Sequence, residues 1–492
     1  MQPRKHTSTK AWLAAALLAM PCALSAQPGP PDPVATTTNG IREMGFKLFQ
    51  TLHENDTTGD PIAISPMSIA EAMTLVTLGS EKETTDELAS LYLPAGSQIS
   101  GKALLLANGV KSLRTQLLDF SAKSRDTFVY TSANSLIGNS NPAIDFQYKP
   151  QFAQQARDFY GAEVSAYDFR DPATLPAINK WVASKTNDRI KDLITSLEDR
   201  DSAILVNATF TKGKFAIHFD LMEDGEYTTA KGTKVPASFL TKSETMGYTE
   251  NADAKVFSFN VEADPSDPQA MRSQIALDTI VPTSGDLKDL VKKLSGSTYA
   301  AWVASLQKKY IKLTMPAGKV EPKESVKLAK VFQAAPFNIL RPFSGKDAQF
   351  APIGSVAGET NLFIGDVLTK TFHEMTPFGF EAAAATAVVM RSLATSAPEA
   401  PPVPQVHAIR GPSIQVVRHI PTGTPLFITT YDAPKEYTQD EIADLVAEGH
   451  KNSRALSAYT KAGGIWVTYQ DGKTVVALTG ENGRVLKVLK TL

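Results

Sequence analysis

One late segment constrains the fold more than any other part of this 492-residue chain. Residues 381–389 read EAAAATAVV, and only the first of them is charged. Alanine is the best helix former, so a buried helix is one interpretation. Thr386, Val388 and Val389 favour a strand instead. Four prolines among residues 397–405 make the chain just beyond extended and exposed. Small, uncharged side chains meet little steric resistance, so such a segment could also slide between two strands of a packed sheet.

Helical and strand patterns follow one another along the chain without βαβ alternation. Apolar residues at helical spacing predict helices over residues 41–52, 68–78, 151–160 and 175–197. Strand-like runs predict strands over residues 127–132, 203–210, 256–261 and 275–281. Because the helices come mainly early and the strands mainly late, we predict an α+β fold.

The start of the chain has the three-part pattern of a secretory signal peptide. Basic residues precede an apolar run over residues 11–24, and the small residues Ser25 and Ala26 follow. This pattern predicts a signal peptide over residues 1–26 and a secreted protein, extracellular or periplasmic. An uncleaved anchor is the alternative, although about fourteen apolar residues are few for a membrane span. Residues 27–39 are rich in Pro and Thr and predict a disordered leader.

The last part of the chain differs in character from what precedes it. Residues 432–492 are predicted to form an extension with a helix over residues 438–461. Residues 464–492 then predict a three-stranded meander, with turns at Asp471-Gly472 and Asn482-Gly483. The extension is either a small addition packed on the body or a binding module, and the sequence leaves both open.

Composition and motifs argue against several classes of function. The formal net charge is −1 and the pI is about 6.7, so we expect neither a nucleic-acid partner nor a basic membrane surface. The chain contains no HExxH and no GxSxG, and its seven histidines form no metal-ligand spacing. Cys22, the single cysteine, lies in the predicted signal peptide, so the mature chain holds no disulfide. We therefore expect no metal, no cofactor and no enzyme activity.

Several short motifs in order along the chain resemble those of the serpins, a family of serine protease inhibitors. They are ISPMSI at residues 64–69, YGAE at 160–163, INKWV at 178–182, NATFTKGKF at 207–215 and PTG at 421–423. The resemblance covers residues 40–431 and suggests a secreted, bacterial-type member. It implies a single domain with three β-sheets surrounded by helices and an exposed reactive-centre loop.

In serpins the exposed loop is offered to a protease as a substrate and, once cut, inserts as a new strand in the central sheet. The protease stays attached as an acyl-enzyme, and we expect such a trap to work as a monomer. The resemblance assigns eight residues to the hinge of the loop: Gly379, Phe380, Glu381, Ala382, Ala383, Ala384, Ala385 and Thr386. It assigns four residues to the region where the sheet opens: Ser65, Ser68, Asn207 and Thr369.

The reactive bond can be counted from the hinge. In the family, the specificity residue lies twelve residues after the hinge glutamate, which places it at Leu393 with Ala394 following. Leucine favours a chymotrypsin-like or elastase-like protease with an apolar pocket. A shift of two residues would select Arg391 and a trypsin-like protease.

Some residues depart from the family pattern. Phe380 stands where a small hydroxyl residue is usual, and overpacking a fitted site typically costs about 1–3 kcal/mol. Pro377 replaces an acidic residue, Phe215 replaces a tryptophan, and Thr369 replaces a histidine. These departures leave open an alternative, a non-inhibitory serpin with a binding or carrier role.

Overall fold

The structure, a computed structural model, describes most of the chain beyond its first 31 residues. The described ranges are 32–57, 61–124, 127–215, 217–261, 273–320, 325–358, 362–380, 403–432, 437–451, 458–460, 463–470, 472–480 and 484–492. Residues Pro33–Leu492 form one compact unit. The predicted signal peptide lies outside the described residues. Within those ranges, none of the helices is both long and apolar enough to cross a bilayer.

The described residues form ten α-helices, most of them in the first half of the chain. They are α1 (Pro33–Asn55), α2 (Pro66–Leu78), α3 (Lys82–Ala89), α4 (Lys102–Lys123), α5 (Pro150–Tyr160), α6 (Thr174–Lys185), α7 (Leu287–Lys293), α8 (Gly296–Ala304), α9 (Ala329–Gln333) and α10 (Gln439–Lys451).

Helix α1 begins earlier than the sequence predicted. Residues 33–39 belong to it and not to a disordered leader. The reason is packing, since Thr37 and Thr38 are fully buried. Thr37 lies against α4 at Gly109, where an added Cβ would come 2.1 Å from its Oγ1. The predicted disordered leader covered residues 27–39. For residues 33–39 this prediction is wrong.

Helix α6 is shorter than the predicted helix over residues 175–197. It ends at Lys185, and Asn187 and Asp188 then take left-handed backbone conformations with φ of 51° and 59°. Asn and Asp are the residues that tolerate this region best after glycine. A helix cannot continue through them, so the rest of the predicted helix is irregular.

The central sheet has six strands. In spatial order they are β11 (Gly318–Val320), β15 (His373–Thr376), β16 (Gly379–Phe380), β5 (Ala203–Lys214), β2 (Phe128–Asn139) and β4 (Glu163–Tyr167). Strands β2 and β5 pair antiparallel along eleven residues, from Phe128 with Gly213 to Gly138 with Ala203. The packing of α2 against β5 places the start of that helix beneath the middle of the sheet.

The second large sheet has nine strands. They are β1 (Ala63–Ile64), β19 (Thr424–Tyr431), β18 (Ser413–His419), β9 (Ile275–Pro282), β8 (Ala254–Asn260), β7 (Lys234–Glu250), β10 (Gln307–Pro316), β17 (Gln405–Ala408) and β6 (Asp220–Thr228). Strand β7 is long enough to pair with β6 near its start and with β8 near its end. The second and third sheets that the resemblance implies are thus joined through β7 into one.

Two short pairs complete the body of the fold, β3 (Phe146–Tyr148) with β13 (Gly354–Val356) and β12 (Val326–Lys327) with β14 (Leu368–Thr369). The helices and sheets bury one large apolar core. Inside it, the Asp278 carboxylate accepts hydrogen bonds from Arg418 Nε at 2.6 Å, Tyr299 at 2.5 Å and Ser258 at 2.5 Å. This group, the Asp278 cluster, is fully satisfied although it is buried.

The C-terminal segment is helix α10 followed by a four-stranded sheet. Its strands are β20 (Ala458–Thr460), β21 (Gly463–Gln470), β22 (Lys473–Thr479) and β23 (Val485–Thr491). The predicted helix over residues 438–461 ends at Lys451, and its last part contributes β20. Tyr459 and Thr460 favour a strand, and they pair with β21. The predicted three-stranded meander therefore gains a fourth strand.

Candidate functional site

The start of the predicted hinge lies inside the central sheet. Gly379 and Phe380 form β16, which pairs with β5 at Lys214 and Gly213. On its other side β16 pairs with β15, where Phe380 stands opposite Met375. The first two hinge residues thus occupy a strand position between β5 and β15.

Glycines make room for this short strand. An added Cβ at Gly379 would lie 1.9 Å from the carbonyl oxygen of Gly213. An added Cβ at Gly213 would lie 2.5 Å from Cζ of Phe380, so the phenyl ring rests directly on that glycine. Phe380 is 2 % exposed. The expected overpacking at Phe380 is therefore absent in this arrangement, because Gly213 leaves the ring its space.

The turn that leads into β16 is hydrogen-bonded to the residues that follow β5. The N–H groups of Phe215 and Phe219 donate to the carbonyl oxygens of Phe378 and Pro377, each at 2.9 Å. The Thr376 hydroxyl donates to the carbonyl of Gly379 at 3.0 Å. These bonds fix the first hinge residues at the end of the central sheet where β5 finishes at Lys214. We call this the upper end of the sheet.

Beneath this turn lies a buried lysine in an aromatic cage. Lys242 Nζ lies 4.6, 4.3 and 4.4 Å from the ring centres of Phe215, Phe219 and Phe259. It also pairs with Glu244 at 2.7 Å. Burial lowers the pKa of Lys242 to about 8, and Glu244 opposes that shift. Phe215, which replaces the family's tryptophan, is one wall of the cage.

Below Phe380 the central sheet is open. Among the described residues, β5 has no ladder partner on this side along residues 203–212. Across from it lie residues 362–374, of which only β14 and β15 are strands. We call the space between these two stretches the strand gap. Its upper part is a cavity of about 20 Å³, and its lower part is a cavity of about 480 Å³.

Three of the four predicted sheet-opening residues meet at the middle of the gap. Ser65 is the N-cap of α2, accepting from the N–H of Ser68 at 3.2 Å and donating to the carbonyl of Leu426 at 2.8 Å. The Ser68 hydroxyl donates to Oδ1 of Asn207 on β5. Helix α2 and the free side of β5 are thereby hydrogen-bonded to each other.

Thr369, the fourth predicted residue, lies across the gap on β14. It is buried and lines the lower cavity together with Ser68 and Asn207. Within the described part of the chain its hydroxyl forms no hydrogen bond to either of them. The structure therefore places Thr369 beside the cluster without joining it.

The sequence did not point to the acidic centre of this region. Glu71 on α2 is fully buried and accepts hydrogen bonds from the side chains of three β2 residues, Tyr130, Ser132 and Asn134. Arg114 Nε of α4 lies 3.8 Å from the same carboxylate. We call these five residues the Glu71 cluster. The available sequence signal was Glu71 itself, the one charged residue of α2. A buried charge must find partners, so its presence in this helix indicates a polar cluster.

Asn207 links the Glu71 cluster to β5. Its Nδ2 donates to Oδ1 of Asn134 at 2.9 Å, and Asn134 in turn bonds to the Glu71 carboxylate. Helix α2 and strands β2 and β5 are held together by this one polar network. If β2 and β5 moved along α2, the hydrogen bonds of this network would have to rearrange.

The far wall of the gap is tied to the nine-stranded sheet. His373 Nε2 on β15 lies 2.5 Å from Oε1 of Gln415 on β18. Burial lowers the pKa of His373 to about 4. Arg189 lies 3.7 Å from Glu374 and over the ring of Phe372. This wall is thus fixed to its surroundings by contacts on several sides.

The remaining predicted site residues lie outside the described residues. They are Glu381, Ala382, Ala383, Ala384, Ala385, Thr386, Arg391, Leu393 and Ala394. The chain is described again from Val403, which is 92 % exposed just before β17. Among the described residues, no group of three His, Cys, Asp or Glu side chains is arranged to hold a metal ion.

A sequence profile of the family described as Serpin (serine protease inhibitor) matches residues 39–434. This chain belongs to the serpin family. The matched range corresponds closely to the predicted domain over residues 40–431. The α+β fold is confirmed as a serpin fold, in which the six-stranded sheet is the central sheet.

Curated relatives of this serpin cover most of its length. Iripin-8 from Ixodes ricinus is 25 % identical over 404 residues, which are 79 % of this chain and 92 % of that protein. Leukocyte elastase inhibitor from Xenopus laevis is 25 % identical over 398 residues, covering 79 % and 97 %. The protein of the same name from Bos taurus is 27 % identical over 398 residues, covering 79 % and 96 %.

Solved structures agree with the fold. Native tengpin, a thermophilic serpin, has a TM-score of 0.66 and 22 % identity, covering 80 % of this chain and 94 % of that one. Human thyroxine-binding globulin with its bound ligand has a TM-score of 0.68 and 18 % identity, covering 82 % and 100 %. The similar proteins therefore include relatives named as elastase inhibitors and a structure named for binding thyroxine.

Proposed function

We propose that this serpin inhibits a serine protease by acting as a suicide substrate. The observation that carries the proposal is the strand gap, which continues the strand position of Gly379 and Phe380 directly below them. Below them, among the described residues, no ladder partner is present on this side for the backbone groups of residues 203–211 of β5. Strand addition would satisfy those groups with ladder hydrogen bonds.

The chemistry needs only the protease and the loop. The hydroxyl of the protease serine attacks the carbonyl carbon of Leu393, and the amine of Ala394 leaves as a new N-terminus. An ester then joins Leu393 to the protease. Insertion of the freed segment carries the protease along before water can cleave that ester. Loop insertion that releases stored strain is an established way for a fold to switch.

The position of Phe380 determines which side chains of the inserted strand face the core. Successive residues of a strand point to opposite faces, and the Phe380 side chain faces the core. Ala382, Ala384 and Thr386 share its face and would enter the interior. All three are small and uncharged, so the strand could form without creating a clash or a buried charge.

Leu393 makes a chymotrypsin-like or elastase-like protease the favoured target, because the residue before the cut bond enters the specificity pocket. Arg391 would direct a trypsin-like protease to a bond two residues earlier. Mixing the mature protein with one protease of each class, followed by denaturing electrophoresis and mass mapping of the cut, distinguishes the two. We expect an SDS-stable complex with an apolar-pocket protease and a cut after Leu393.

Two variants sharpen this test. Leu393→Arg should transfer complex formation to a trypsin-like protease, since an acidic pocket then accepts the residue. Arg391→Leu is the control and should leave the preference of the parent unchanged. Cleavage by all three proteases without any stable complex would refute the trapping mechanism.

A binding or carrier role is the second candidate. The lower part of the strand gap is a cavity of about 480 Å³, within the range of small-molecule sites. Its lining includes the apolar side chains of Met73, Phe152 and Ile353. A protein that is cleaved but neither traps a protease nor becomes more heat-stable would favour this role.

We also propose that the protein is secreted, as a bacterial-type member, and works as a monomer. The basic start, the apolar run and the small residues that follow support export. Expression in a bacterial host and mass analysis of the exported chain test this proposal. We expect a chain starting near Gln27 that sediments as a monomer. A retained N-terminus or a stable oligomer would contradict the respective part.

A further inference from the structure

The C-terminal segment, residues 437–492, packs on the body of the protein. Ile442, Ala443 and Val446 on α10 and Ile465 and Val476 on its sheet are buried in the same large core as the two main sheets. The segment and the body thus belong to one compact unit. Its first described residue, Tyr437, lies at the upper end of the central sheet.

Tyr437 is bonded to both large sheets. Its N–H donates to the hydroxyl of Ser238 on β7 at 2.9 Å. Its hydroxyl donates to the carbonyl oxygen of Met375 on β15 at 3.1 Å. A single residue of the C-terminal segment therefore connects the nine-stranded sheet to one wall of the strand gap.

The bond to Met375 falls at the point where the loop enters the sheet. Met375 is the residue opposite Phe380 in the β15–β16 pair, directly above the gap. A strand that continues from Phe380 must pair with the chain that Tyr437 holds. Burial raises the pKa of Tyr437 well above its ordinary value, so its hydroxyl stays a donor at neutral pH.

Tyr437 is itself anchored from the helix that follows. The Glu441 N–H donates to the hydroxyl of Thr438 at 3.2 Å, and the Thr438 N–H donates to the Glu441 carboxylate at 2.8 Å. This reciprocal pair is a capping box, which fixes the chain at the start of α10. The tyrosine beside it is consequently held in place by α10 and not only by its own two bonds.

We propose that Tyr437 is a positioning residue for loop insertion, through which the C-terminal segment holds β15 ready to accept the incoming strand. The proposal rests on the trapping function inferred above. Insertion competes with hydrolysis of the acyl-enzyme, so a wall held in place favours trapping over turnover. Without the bond, β15 would be held only by its pairing with β11 and β16 and by the contacts of His373 and Glu374, so the incoming strand would pair later and more of the protease would be released.

The test compares Tyr437→Phe with a matched control, Tyr469→Phe. Each change removes one hydroxyl, and Tyr469 is 74 % exposed with no hydrogen bond to the described residues. Amide hydrogen exchange is measured over residues 373–380 of the intact full-length protein. We expect exchange there to rise at least about threefold in Tyr437→Phe and to stay unchanged in Tyr469→Phe.

The second measurement is the number of inhibitor molecules consumed per protease trapped. We expect this stoichiometry to rise at least about twofold in Tyr437→Phe while the rate of acylation stays the same, because only the later step is slowed. Ser238→Ala, which removes the acceptor of the Tyr437 N–H, should change both measurements in the same direction.

The outcomes separate this proposal from the proposed function. Unchanged exchange over residues 373–380 in Tyr437→Phe would overturn it, and so would faster exchange with an unaltered stoichiometry. If the parent protein traps no protease, the trapping function fails and the positioning role fails with it. The exchange measurement would then still decide whether Tyr437 holds β15.

Discussion

The two large sheets of this serpin differ in how completely their strands are paired. In the nine-stranded sheet, β18 is paired on both sides, with β9 and with β19, and all its residues are buried. In the central sheet, β5 is paired along its length only with β2 among the described residues. Strand β18 is thus complete within its sheet, whereas the central sheet has a strand position that, among the described residues, only Gly379 and Phe380 fill.

This difference shows where the molecule can change. Backbone groups left without partners inside a fold are unfavourable, so an open strand position stores free energy. That free energy is released when a strand is added. Strand β18, which is paired on both sides, offers no such position, and it belongs to the part of the molecule against which the central sheet expands.

The largest expected effect comes from blocking the added strand. Ala384→Glu would place a carboxylate on the inward face, where a lone buried charge costs several kcal/mol. Ala385→Glu, one residue on, would face outward and is the matched control. We expect Ala384→Glu to lower complex formation more than about tenfold and to turn the protein into a substrate, a change of at least about 1.4 kcal/mol. Equal trapping by both variants would show that these residues do not become a strand.

The next effect compares the buried acid of each sheet. Glu71→Ala leaves the donors of Tyr130, Ser132 and Asn134 without their acceptor, and Asp278→Ala does the same to Arg418 and Tyr299. We expect each change to lower the free energy of unfolding by about 3–5 kcal/mol, measured by urea denaturation.

The two variants should differ in what else they alter. Glu71→Ala removes the hydrogen bonds of β2 to α2 and leaves the Ser68–Asn207 bond to join α2 to β5, so spontaneous loss of inhibition on warm incubation should become faster. Asp278→Ala affects the nine-stranded sheet and helix α8 but not the central sheet, and should leave that rate close to the parent's. The comparison between the sheets would break down if both variants lost inhibition equally fast.

A smaller effect is expected at the glycine that carries Phe380. Gly213→Ala would bring a Cβ within 2.5 Å of the phenyl ring, and such overpacking costs about 1–3 kcal/mol. Fluorescence or hydrogen exchange over residues 375–380 should show that β16 leaves the sheet more often. Gly232→Ala in an exposed turn is a control for stability alone, because its φ of 76° strains an alanine there while nothing lies within 4 Å of its Cβ position. If hydrogen exchange over residues 375–380 were the same in Gly213→Ala as in the parent, the ring of Phe380 would not be held against Gly213.

The sequence predicted the parts of this site that depend on local pattern. The helix over residues 68–78 and the strand over residues 203–210 follow from residue type and spacing, and the sheet-opening residues Ser65, Ser68 and Asn207 follow from the family resemblance. The partial insertion of Phe380 could not be predicted, because it depends on Gly213 lying opposite it across the sheet. The Glu71 cluster joins residues of three elements that are far apart in sequence, so no local pattern reveals it. Residues 33–39 were misassigned for the same reason, since Thr37 is ordered by its contact with Gly109.

The smallest expected effect concerns the contact between the two sheets. His373 has a pKa of about 4 in the fold and about 6.5 when unfolded, so the unfolded chain binds the extra proton first as pH falls. Stability from this group is therefore complete above pH 6.5 and is lost as pH falls from about 6.5 to 4, by about 1–2 kcal/mol at pH 5.

His373→Gln should remove this part of the pH dependence. The variant keeps the buried His419, so the difference between the two unfolding curves isolates His373. Urea denaturation of both proteins between pH 4 and pH 8 measures it. If the free energies of unfolding of the two proteins changed in parallel across this range, protonation of His373 would not weaken the contact between the two sheets.

The central claim is that the central sheet has an open strand position that the nicked loop fills. Cutting the mature protein once near Leu393 and comparing its melting temperature with that of the uncut protein tests it most directly. About ten added residues with ladder bonds of about 1 kcal/mol each predict a rise of roughly 10 °C or more. A nicked protein that melts at or below the temperature of the uncut one would contradict the claim.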